Sequence, residues 1–537
     1  MLTPIELEVF KNRVTAIAEE MGLVLQRAAQ SSNIKERRDF STAIFDFGGE
    51  LVAQAEHIPV HLGSMPYCLK NVLEEVEIKE NDVIITNDPF KGGTHLPDVT
   101  VITPVYFKEL IGFLVNRAHH ADIGGITAGS MAGNTFEIFQ EGLRIPPVKL
   151  YKGGTMDEEI LSLFLANVRD PKERLGDLYA QVAANFLGKE RMKELYEKFR
   201  EKLLYSFEEI KNYSERMMLS QISKYRGKEG KGVDFLDDGS KIEVSVKVEE
   251  DKIVVDFDGT SDMVDGNLNC PYAVTLSCVY YVIRCVTDPS IPPNAGCYRP
   301  IDVNIPKNSL LNASYPKGVV GGNVETSQRI VEALLIAFRE ITGMKIAQSQ
   351  GTMNNVAIGT SEFTYYETIG GGYGASDRAD GVDGIHVHMT NTQNTPVEAL
   401  EMRYPLRIER YELIENSGGY GKYRGGLGIR RDIRVLTKAR LSLLSERRKI
   451  PPRGIEMGED GSKGLDIMIK DGKEIILSGK EIIDVEPDTI ISIRTPGGGG
   501  YGNLGERDRE KILKDLKDEK YTIEFIRERY PIHLLKG

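Results

Sequence analysis

Tryptophan is absent from this chain of 537 residues, histidine occurs eight times and cysteine five times. The cysteines show no Cys-x-x-Cys spacing, which argues against a zinc ribbon or a dithiol motif. No stretch approaches the roughly 18 consecutive apolar residues of a membrane helix. The first residues also lack the basic and apolar regions of a signal peptide. We therefore expect a cytoplasmic protein with no membrane segment.

The chain also lacks an excess of basic residues, because its formal net charge is −12 and its pI is about 5.4. A net negative charge disfavours nucleic acid or an anionic membrane as the main partner. Apolar residues make up 41% and charged residues 28%, as in ordinary globular proteins. No GxxxxGK[ST] loop occurs, so the sequence gives no support for ATP binding within this chain.

The pattern of apolar residues indicates an α+β protein of several domains. A capping box at Thr3 and Glu6, with Pro4 between them, predicts a first helix that stops near residues 31–33. Strands are predicted at 41–46, 50–54, 82–87, 98–107 and 111–118, and a long helical segment at 170–225. We expect mixed β-sheets, an N-terminal α+β domain over 1–226, a central α/β domain over 227–420 and a β-rich C-terminal region with terminal helices over 421–537. Residues 227–232 read as a linker by composition.

Five of the eight histidines fall between residues 57 and 120, beside several aspartates. Imidazole and carboxylate together are typical ligands of a catalytic divalent metal, and the absence of thiolate leaves zinc, iron and manganese open. Adjacent residues on a strand point to opposite faces, so His119 and His120 reach one ion together only if the strand has ended. The candidate ligands are Asp39, His95, His119, His120 and Asp122, with Asp88 and Asp98 as fallbacks.

Other polar groups admit two interpretations each. His57 and His61 either line the pocket or are satisfied in a turn. His386 and His388 are two apart on a predicted strand, where they share one face as a site or as ordinary polar surface. The glycines before Asn323 either open an anion-binding helix N-terminus, helped by Arg329, or precede an ordinary capped helix. The glycine runs at 370–372 and 497–500 are either anion-binding nests or loops that another backbone approaches closely.

Nine longer stretches stand out by their combination of glycine, histidine and amide residues: 36–41, 58–65, 87–98, 119–125, 321–329, 349–355, 366–372, 390–396 and 495–500. Together these stretches resemble the hydantoinase B family, and the resemblance covers nearly the whole chain. That family includes the B subunit of ATP-dependent N-methylhydantoinase, the C-terminal half of 5-oxoprolinase, and the alpha-type subunits of acetone and acetophenone carboxylases.

The resemblance implies a division of labour between two subunits. A hydantoinase A-type partner of the actin-like kinase fold would bind ATP and phosphorylate a carbonyl or amide oxygen. This chain would then open the activated imide or lactam by metal-assisted hydrolysis, as part of a hetero-oligomer. Relatives hold a divalent metal with His and Asp ligands, so at most four of the five candidate ligands are expected to bind directly. Glu325, Arg329 and His61 are the candidate catalytic residues.

Two further functions compete with this interpretation. The first is a subunit of an ATP-dependent ketone carboxylase, which the same family resemblance allows. The second, of another class, is a non-catalytic scaffold whose glycine loops and long helices serve subunit assembly. Turnover with and without bicarbonate separates the hydrolase from the carboxylase, and stoichiometric metal argues against the scaffold.

Overall fold

The computed structural model describes residues 2–55 and 57–530. Its helices are α1 Pro4–Ala28, α2 Ser32–Lys35, α3 His61–Glu75, α4 Glu158–Ala166, α5 Pro171–Phe199, α6 Leu203–Ile222, α7 Tyr272–Val286, α8 Ala295–Tyr298, α9 Ser327–Thr342, α10 Val397–Arg403, α11 Arg509–Lys517 and α12 Ile523–Arg529. A π-helical turn, Gly322–Thr326, precedes α9.

The strands are β1 Phe40–Asp46, β2 Leu51–Ala55, β3 Val83–Thr86, β4 Asp98–Tyr106, β5 Leu110–His119, β6 Val148–Lys152, β7 Thr155–Met156, β8 Glu229–Phe235, β9 Lys241–Val248, β10 Ile253–Asp256, β11 Ile301–Asn304, β12 Asn355–Gly359, β13 Thr364–Glu367, β14 Leu406–Leu413, β15 Ile429–Val435, β16 Ala439–Leu444, β17 Leu465–Lys470, β18 Lys473–Leu477, β19 Lys480–Val485 and β20 Ile490–Arg494. They form four sheets with the orders β2-β1-β5-β4-β3-β6-β7, β11-β10-β9-β8, β13-β12-β16-β19 and β14-β15-β20-β17-β18.

The sheets are mainly antiparallel, and the second is mixed because β10 and β11 pair in parallel. The helices accompany several mainly antiparallel sheets, so the α+β class expected from the sequence is confirmed. The helical segment after residue 170 is also present as α5 and α6, and the strands after residue 425 supply the β-rich C-terminal region. Among the described residues, no helix combines the length and apolarity needed to cross a membrane.

The first helix begins with the capping box that the sequence predicts. The Thr3 hydroxyl accepts a hydrogen bond from the Glu6 amide, and the Glu6 carboxylate accepts one from the Thr3 amide. These two bonds satisfy amide groups that a helix start leaves without intrahelical partners. The helix then buries Phe10, Val14 and Met21 on one face, as its spacing of apolar residues indicates.

The predicted linker at 227–232 is wrong for its second half, because residues 229–235 form β8. Strand β8 packs directly on α9, and a Cβ at Gly232 would lie 1.9 Å from the Ala333 carbonyl oxygen. Glycine is therefore required here for close approach of strand and helix, a role that composition alone does not distinguish from a flexible connection.

The predicted domain boundaries stay predictions, although two observations bear on them. One hydrophobic core contains Met65 from before residue 226, Leu334 from the central segment, and Leu444 from the C-terminal segment. In addition, β12 pairs with β16 across residue 420. The three segments thus share packing rather than meeting only through linkers.

Helix α5 anchors the β4–β5 hairpin through two buried amide side chains. The Asn185 amide donates to the Val101 and Leu114 carbonyls, each at 3.2 Å, and its oxygen accepts from Asn116 at 2.8 Å. Gln181 likewise donates to the Val99 carbonyl at 2.9 Å. Because these groups are fully buried, each lost bond leaves a strand atom without water or protein partner.

We expect Asn185→Leu to lower the free energy of unfolding by about 2–4 kcal/mol, since several buried polar groups would lose their partners. Asn71→Leu is the matched control, because Asn71 bonds only the Tyr67 carbonyl one turn back on its own partly exposed helix. Urea unfolding of both variants measures the difference. Equal losses in the two variants would show that α5 does not anchor the hairpin in this way.

Candidate metal centre

The register of β4 and β5 builds the centre of the site. The two strands form an antiparallel hairpin in which Asp98, the first residue of β4, lies directly opposite His119, the last residue of β5. His95 stands in the preceding turn, where its carbonyl accepts the Asp98 amide at 3.1 Å. Two strand ends and one turn therefore converge on the same point. Functional residues often lie where a loop is held by a rigid sheet in this way.

The three side chains lie within coordination reach of a single ion. The Nδ1 atoms of His95 and His119 lie 3.3 Å from the two different oxygens of Asp98. One ligand atom from each of the three residues falls within 4.8 Å of the others, and all three residues are buried. Asp39 approaches from the start of β1, with its Oδ2 3.9 Å from His119 Nδ1.

Further residues hold these three in place. His61 lies with its Nε2 3.3 Å from Asp98 and its Nδ1 2.9 Å from the Ser41 hydroxyl. The Thr94 hydroxyl donates to the same Asp98 oxygen. The Asn323 amide group lies 3.1 Å from His95 Nδ1. Contacts of this kind orient metal-binding histidines and carboxylates in proteins.

The pKa values favour metal ligation at neutral pH. Burial raises the pKa of Asp98, but the surrounding imidazoles of His95, His119 and His61 outweigh it and hold that pKa well below its ordinary value. Burial lowers the pKa of His95 and of His61 despite their contacts with Asp98. The result is an ionised Asp98 carboxylate beside a neutral His95 imidazole, the protonation states that metal ligands require.

A small cavity of about 20 Å³ adjoins the three residues. This volume is room for about one water molecule, so a larger molecule enters only if a wall moves. The Nε2 atoms of His95 and His119 are buried without a hydrogen-bond partner among the described residues. The donor set and these unpartnered nitrogens fit a divalent ion. The lining residues are Asp39, Ile58, Val60, His95, Asp98, His119, Asn323, Val324, Met353, Tyr366, Thr368, Met389, Thr390 and Thr392.

Two candidate ligands from the sequence lie elsewhere. The His120 Nε2 contacts the Gln181 side-chain oxygen at 2.8 Å, on the α5 side of the strand, as expected from the alternation of strand residues. Asp122 forms an ion pair with Arg169 at 2.9 Å and accepts the amides of Gly124 and Gly129, which fixes the turn after β5. The geometry therefore replaces these two with Asp98, which the sequence offered only as a fallback.

The candidate catalytic residues are also separated. His61 reaches the centre through Asp98. Glu325 is fully buried and accepts from the Met353 amide at 3.1 Å and from Asn355 at 2.9 Å, behind the cavity wall. Arg329 faces away, where it donates to the Phe235 and Gly351 carbonyls, so its predicted contact with a substrate lacks support.

The prediction that a helix begins at Asn323 is wrong. Helical backbone already begins at Val320, ahead of α9, and Asn323 lies within the π-helical turn that leads into α9. The carboxylate of Glu141 accepts the Val319 and Val320 amides at 2.9 and 3.2 Å. An internal carboxylate thus occupies the place proposed for an external anion. The Asn323 side chain, which belongs to the π-helical turn, contacts His95. Such π-helical turns are frequent at functional sites.

Of the remaining histidine candidates, His388 and His57 have structural contacts. His388 contacts Glu332 at 2.9 Å, whereas the neighbouring His386 has its pKa lowered to about 4 by burial and the nearby charge of Arg37. Residues 386 and 388 lie outside a strand and do not form one shared face. The ring of His57 packs against Phe40 at 4.7 Å.

The glycine runs pack against each other rather than forming open nests. The Gly498 amide donates to the Gly426 carbonyl at 2.9 Å, and the Gly372 amide donates to the Pro496 carbonyl at 3.0 Å. A Cβ at Gly498 would lie 2.2 Å from the Tyr373 carbonyl oxygen. Of the two interpretations from sequence, the structure therefore favours close backbone approach.

Several lining residues were not among the sequence candidates. Tyr366 stacks on His119 with ring centroids 4.8 Å apart and an interplanar angle of 10°. Thr368, Thr390 and Thr392 also line the cavity. These residues come from segments far along the chain, so nothing in their local sequence signals proximity to His95.

The comparisons with known proteins agree over nearly the whole chain. The Hydantoinase B/oxoprolinase family model matches residues 3–504. The 5-oxoprolinase 1 of Arabidopsis thaliana is 42% identical over 93% of this chain, which spans only 42% of that longer protein. A Pseudomonas protein that carries the name of a D-/L-hydantoinase B subunit is 33% identical, over 98% of this chain and 95% of the relative.

Two solved structures share the fold. The ATP-dependent caprolactamase from Pseudomonas jessenii has a TM-score of 0.92 and 28% identity, over 99% of this chain and 96% of that one. A nucleotide-free acetone carboxylase structure has a TM-score of 0.87 over 98% of this chain and 79% of that one. Its identity of 16% makes it evidence for the fold alone.

The pKa of Glu325 predicts how the stability of the fold depends on pH. Burial raises its pKa to about 8, so the folded chain keeps a proton that the unfolded chain releases near pH 4.5. The stability that this proton gives is full below about pH 4.5 and is lost as the pH rises through about 8. When the pKa of a group differs by one between the folded and unfolded chains, the stability at stake is about 1.4 kcal/mol.

Glu325→Gln mimics the protonated acid and should be insensitive to this loss. We expect its free energy of unfolding, relative to that of the wild type, to rise by a few kcal/mol between pH 5 and pH 9. Glu362→Gln, at an exposed position, is the control and should show no such trend. Denaturant unfolding across this pH range is the measurement, and a flat difference for Glu325→Gln would contradict the raised pKa.

Proposed function

Because the chain belongs to the hydantoinase B/oxoprolinase family, we propose that it is the B-type subunit of an ATP-dependent cyclic-amide hydrolase. Oxoproline, hydantoin and caprolactam, which give three of the similar proteins their names, are all rings that contain an amide. The caprolactamase is also ATP-dependent. A ring amide that has been activated by phosphorylation is the substrate class that fits both facts.

The observation that carries this proposal is the buried group of His95, Asp98 and His119 beside a closed cavity. In our proposal these three residues hold a divalent ion, with Asp39 as the fourth ligand. When bound, such an ion supplies Lewis-acid chemistry and an activated water at neutral pH. The absence of thiolate keeps zinc, iron and manganese all compatible with the donor set.

The chain's own residues have distinct roles in this scheme. His61 and Thr94 hold the Asp98 carboxylate, and Asn323 and Tyr366 fix the rings of His95 and His119. The closed cavity excludes bulk water, which strengthens every charge interaction inside it.

Glu325, which lies behind the cavity wall, is the proposed proton-exchanging group. Its neighbours Val324 and Met353 line the cavity, and its raised pKa leaves it protonated at neutral pH. A neutral carboxylic acid is able to give a proton to a leaving nitrogen, which an ionised one is not.

A separate ATP-binding partner completes the proposal. The chain contains no Walker loop, and it spans less than half of the Arabidopsis 5-oxoprolinase but nearly all of the Pseudomonas hydantoinase relative. In our proposal, ATP binding would come from a hydantoinase A-type subunit in a hetero-oligomer. Phosphorylation of the amide oxygen by the partner would make the ring carbon electrophilic. Water would then add to that carbon, the C–N bond would break as the nitrogen takes a proton, and a second water would release phosphate from the acyl phosphate that remains.

The two competing functions have less support. The likeness to acetone carboxylase rests on 16% identity and favours no carboxylase chemistry in particular. A non-catalytic scaffold does not require three buried, mutually oriented metal-type ligands, since burying such groups without purpose costs stability.

Metal binding distinguishes His119 from its neighbour His120. We expect His119→Gln to lose bound zinc, iron or manganese, because it removes a ligand opposite Asp98. His120→Gln, the matched control, should keep stoichiometric metal because its ring contacts Gln181. Elemental analysis of the purified variants, with circular dichroism to confirm folding, gives the result. Loss of metal from His120→Gln alone would refute the assignment.

Turnover tests the reaction. The purified chain, combined with its A-type partner and ATP, should open 5-oxoproline, a hydantoin or caprolactam without any requirement for bicarbonate. Product formation is followed by chromatography, with Asp98→Asn as the inactive control. A strict dependence on bicarbonate and a ketone would instead establish the carboxylase.

A further inference from the structure

Arg37 is a buried cation whose role the metal centre does not explain. Its side chain has no exposed surface, and its Nη1 donates to the Tyr366 carbonyl at 3.1 Å. The Nη2 donates to the hydroxyl oxygens of Thr368 at 2.7 Å and Thr392 at 3.3 Å. The nearest carboxylate is that of Asp39, 4.0 Å from Nη2. Arg37 thus links a metal-ligand candidate to two threonines of the cavity wall.

Among the described residues, the hydrogen bonds of this group leave one threonine hydroxyl proton without an acceptor, in addition to Arg37 Nε. A guanidinium has no acceptor atom, so both threonine oxygens must accept from Arg37. The two oxygens lie 2.8 Å apart, and one hydroxyl proton is used between them. Each threonine carries one such proton, so the second remains available. Both residues line the cavity that also contains His95 and His119.

We propose that Thr368 and Thr392, polarised by Arg37, bind an anionic oxygen of the substrate in the cavity that the metal-ligand candidates also line. This inference rests on the proposed function for the identity of the substrate. The oxygen would belong to the phosphoryl group of the activated amide or to the carboxylate of the opened ring. A donor preset in a buried site stabilises such charge more than the same donor in water does.

The position of Thr392 connects this donor pair to substrate entry. Thr392 lies in a segment without helix or strand that precedes α10, and the Gln393 amide donates to the Arg37 carbonyl at 3.1 Å. Because the cavity is too small for a cyclic amide, part of its wall must move for a substrate to enter, and we assign this movement to the segment that carries Thr392. Return of the segment would then place the Thr392 hydroxyl against the bound oxygen.

The double variant Thr368→Val and Thr392→Val removes both hydroxyls while it conserves side-chain shape. Thr395→Val is the matched control, because the Thr395 hydroxyl is buried in the same segment without a partner and lies outside the cavity lining. Acetate and inorganic phosphate serve as separate probes of the two oxygen sources. Calorimetry on the metal-loaded chain without its partner measures their binding.

We expect the wild type and Thr395→Val to bind at least one of the two anions equally. The double variant should bind it at least tenfold more weakly at unchanged metal content, and its thermal midpoint should fall because the buried Arg37 Nη2 loses both hydroxyl acceptors. Preference for acetate or for phosphate identifies the source of the oxygen. Equal binding by the double variant, or no binding of either anion by the wild type, would overturn the proposal.

Turnover with the partner separates this inference from the proposed function. If the donors also stabilise charge in the transition state, the double variant should lose about 10²–10³-fold in kcat/KM. A wild type that binds anions but opens no cyclic amide would contradict the proposed function alone. A double variant with the kcat/KM and anion affinity of Thr395→Val would contradict the donor role alone.

Discussion

The site depends on the antiparallel register of β4 and β5. Because Asp98 begins one strand and His119 ends the other, their backbone pairing sets two of the three candidate ligands face to face. A slip by one residue would turn each side chain to the opposite face of the sheet and exchange His119 for His120. Helix α5 resists such a slip, since Gln181 and Asn185 bond the backbone of these strands directly.

This arrangement places several ionisable side chains in a buried region, where burial disfavours their charged forms. Asp98 stays ionised because three imidazoles surround it, whereas Glu325, with fewer compensating contacts, retains its proton. Arg37 is buried close to Asp39 and to neutral oxygens. Such groups lower stability unless each is paired, so their collection around one small cavity is typical of a functional site rather than of a core.

Much of the fold follows from local sequence, but only part of the site does. The capping box at Thr3 and the period-two strands at 98–107 and 111–118 gave correct elements because their signals are local. Counting back from the turn at 108–109 would also have placed Asp98 opposite His119. By contrast, Thr368, Thr392 and Tyr366 reach the cavity through long-range packing, and the π-helical turn at Asn323 has no local signature. His120 and Asp122 were chosen for residue type, without the register that directs them elsewhere.

Anomalous diffraction from crystals grown with manganese or zinc tests the central claim most directly. The account predicts one strong peak at about 2.0–2.3 Å from donor atoms of His95, Asp98 and His119. A peak bound instead by His120 and Asp122, or no peak among these residues at full metal loading, would contradict it.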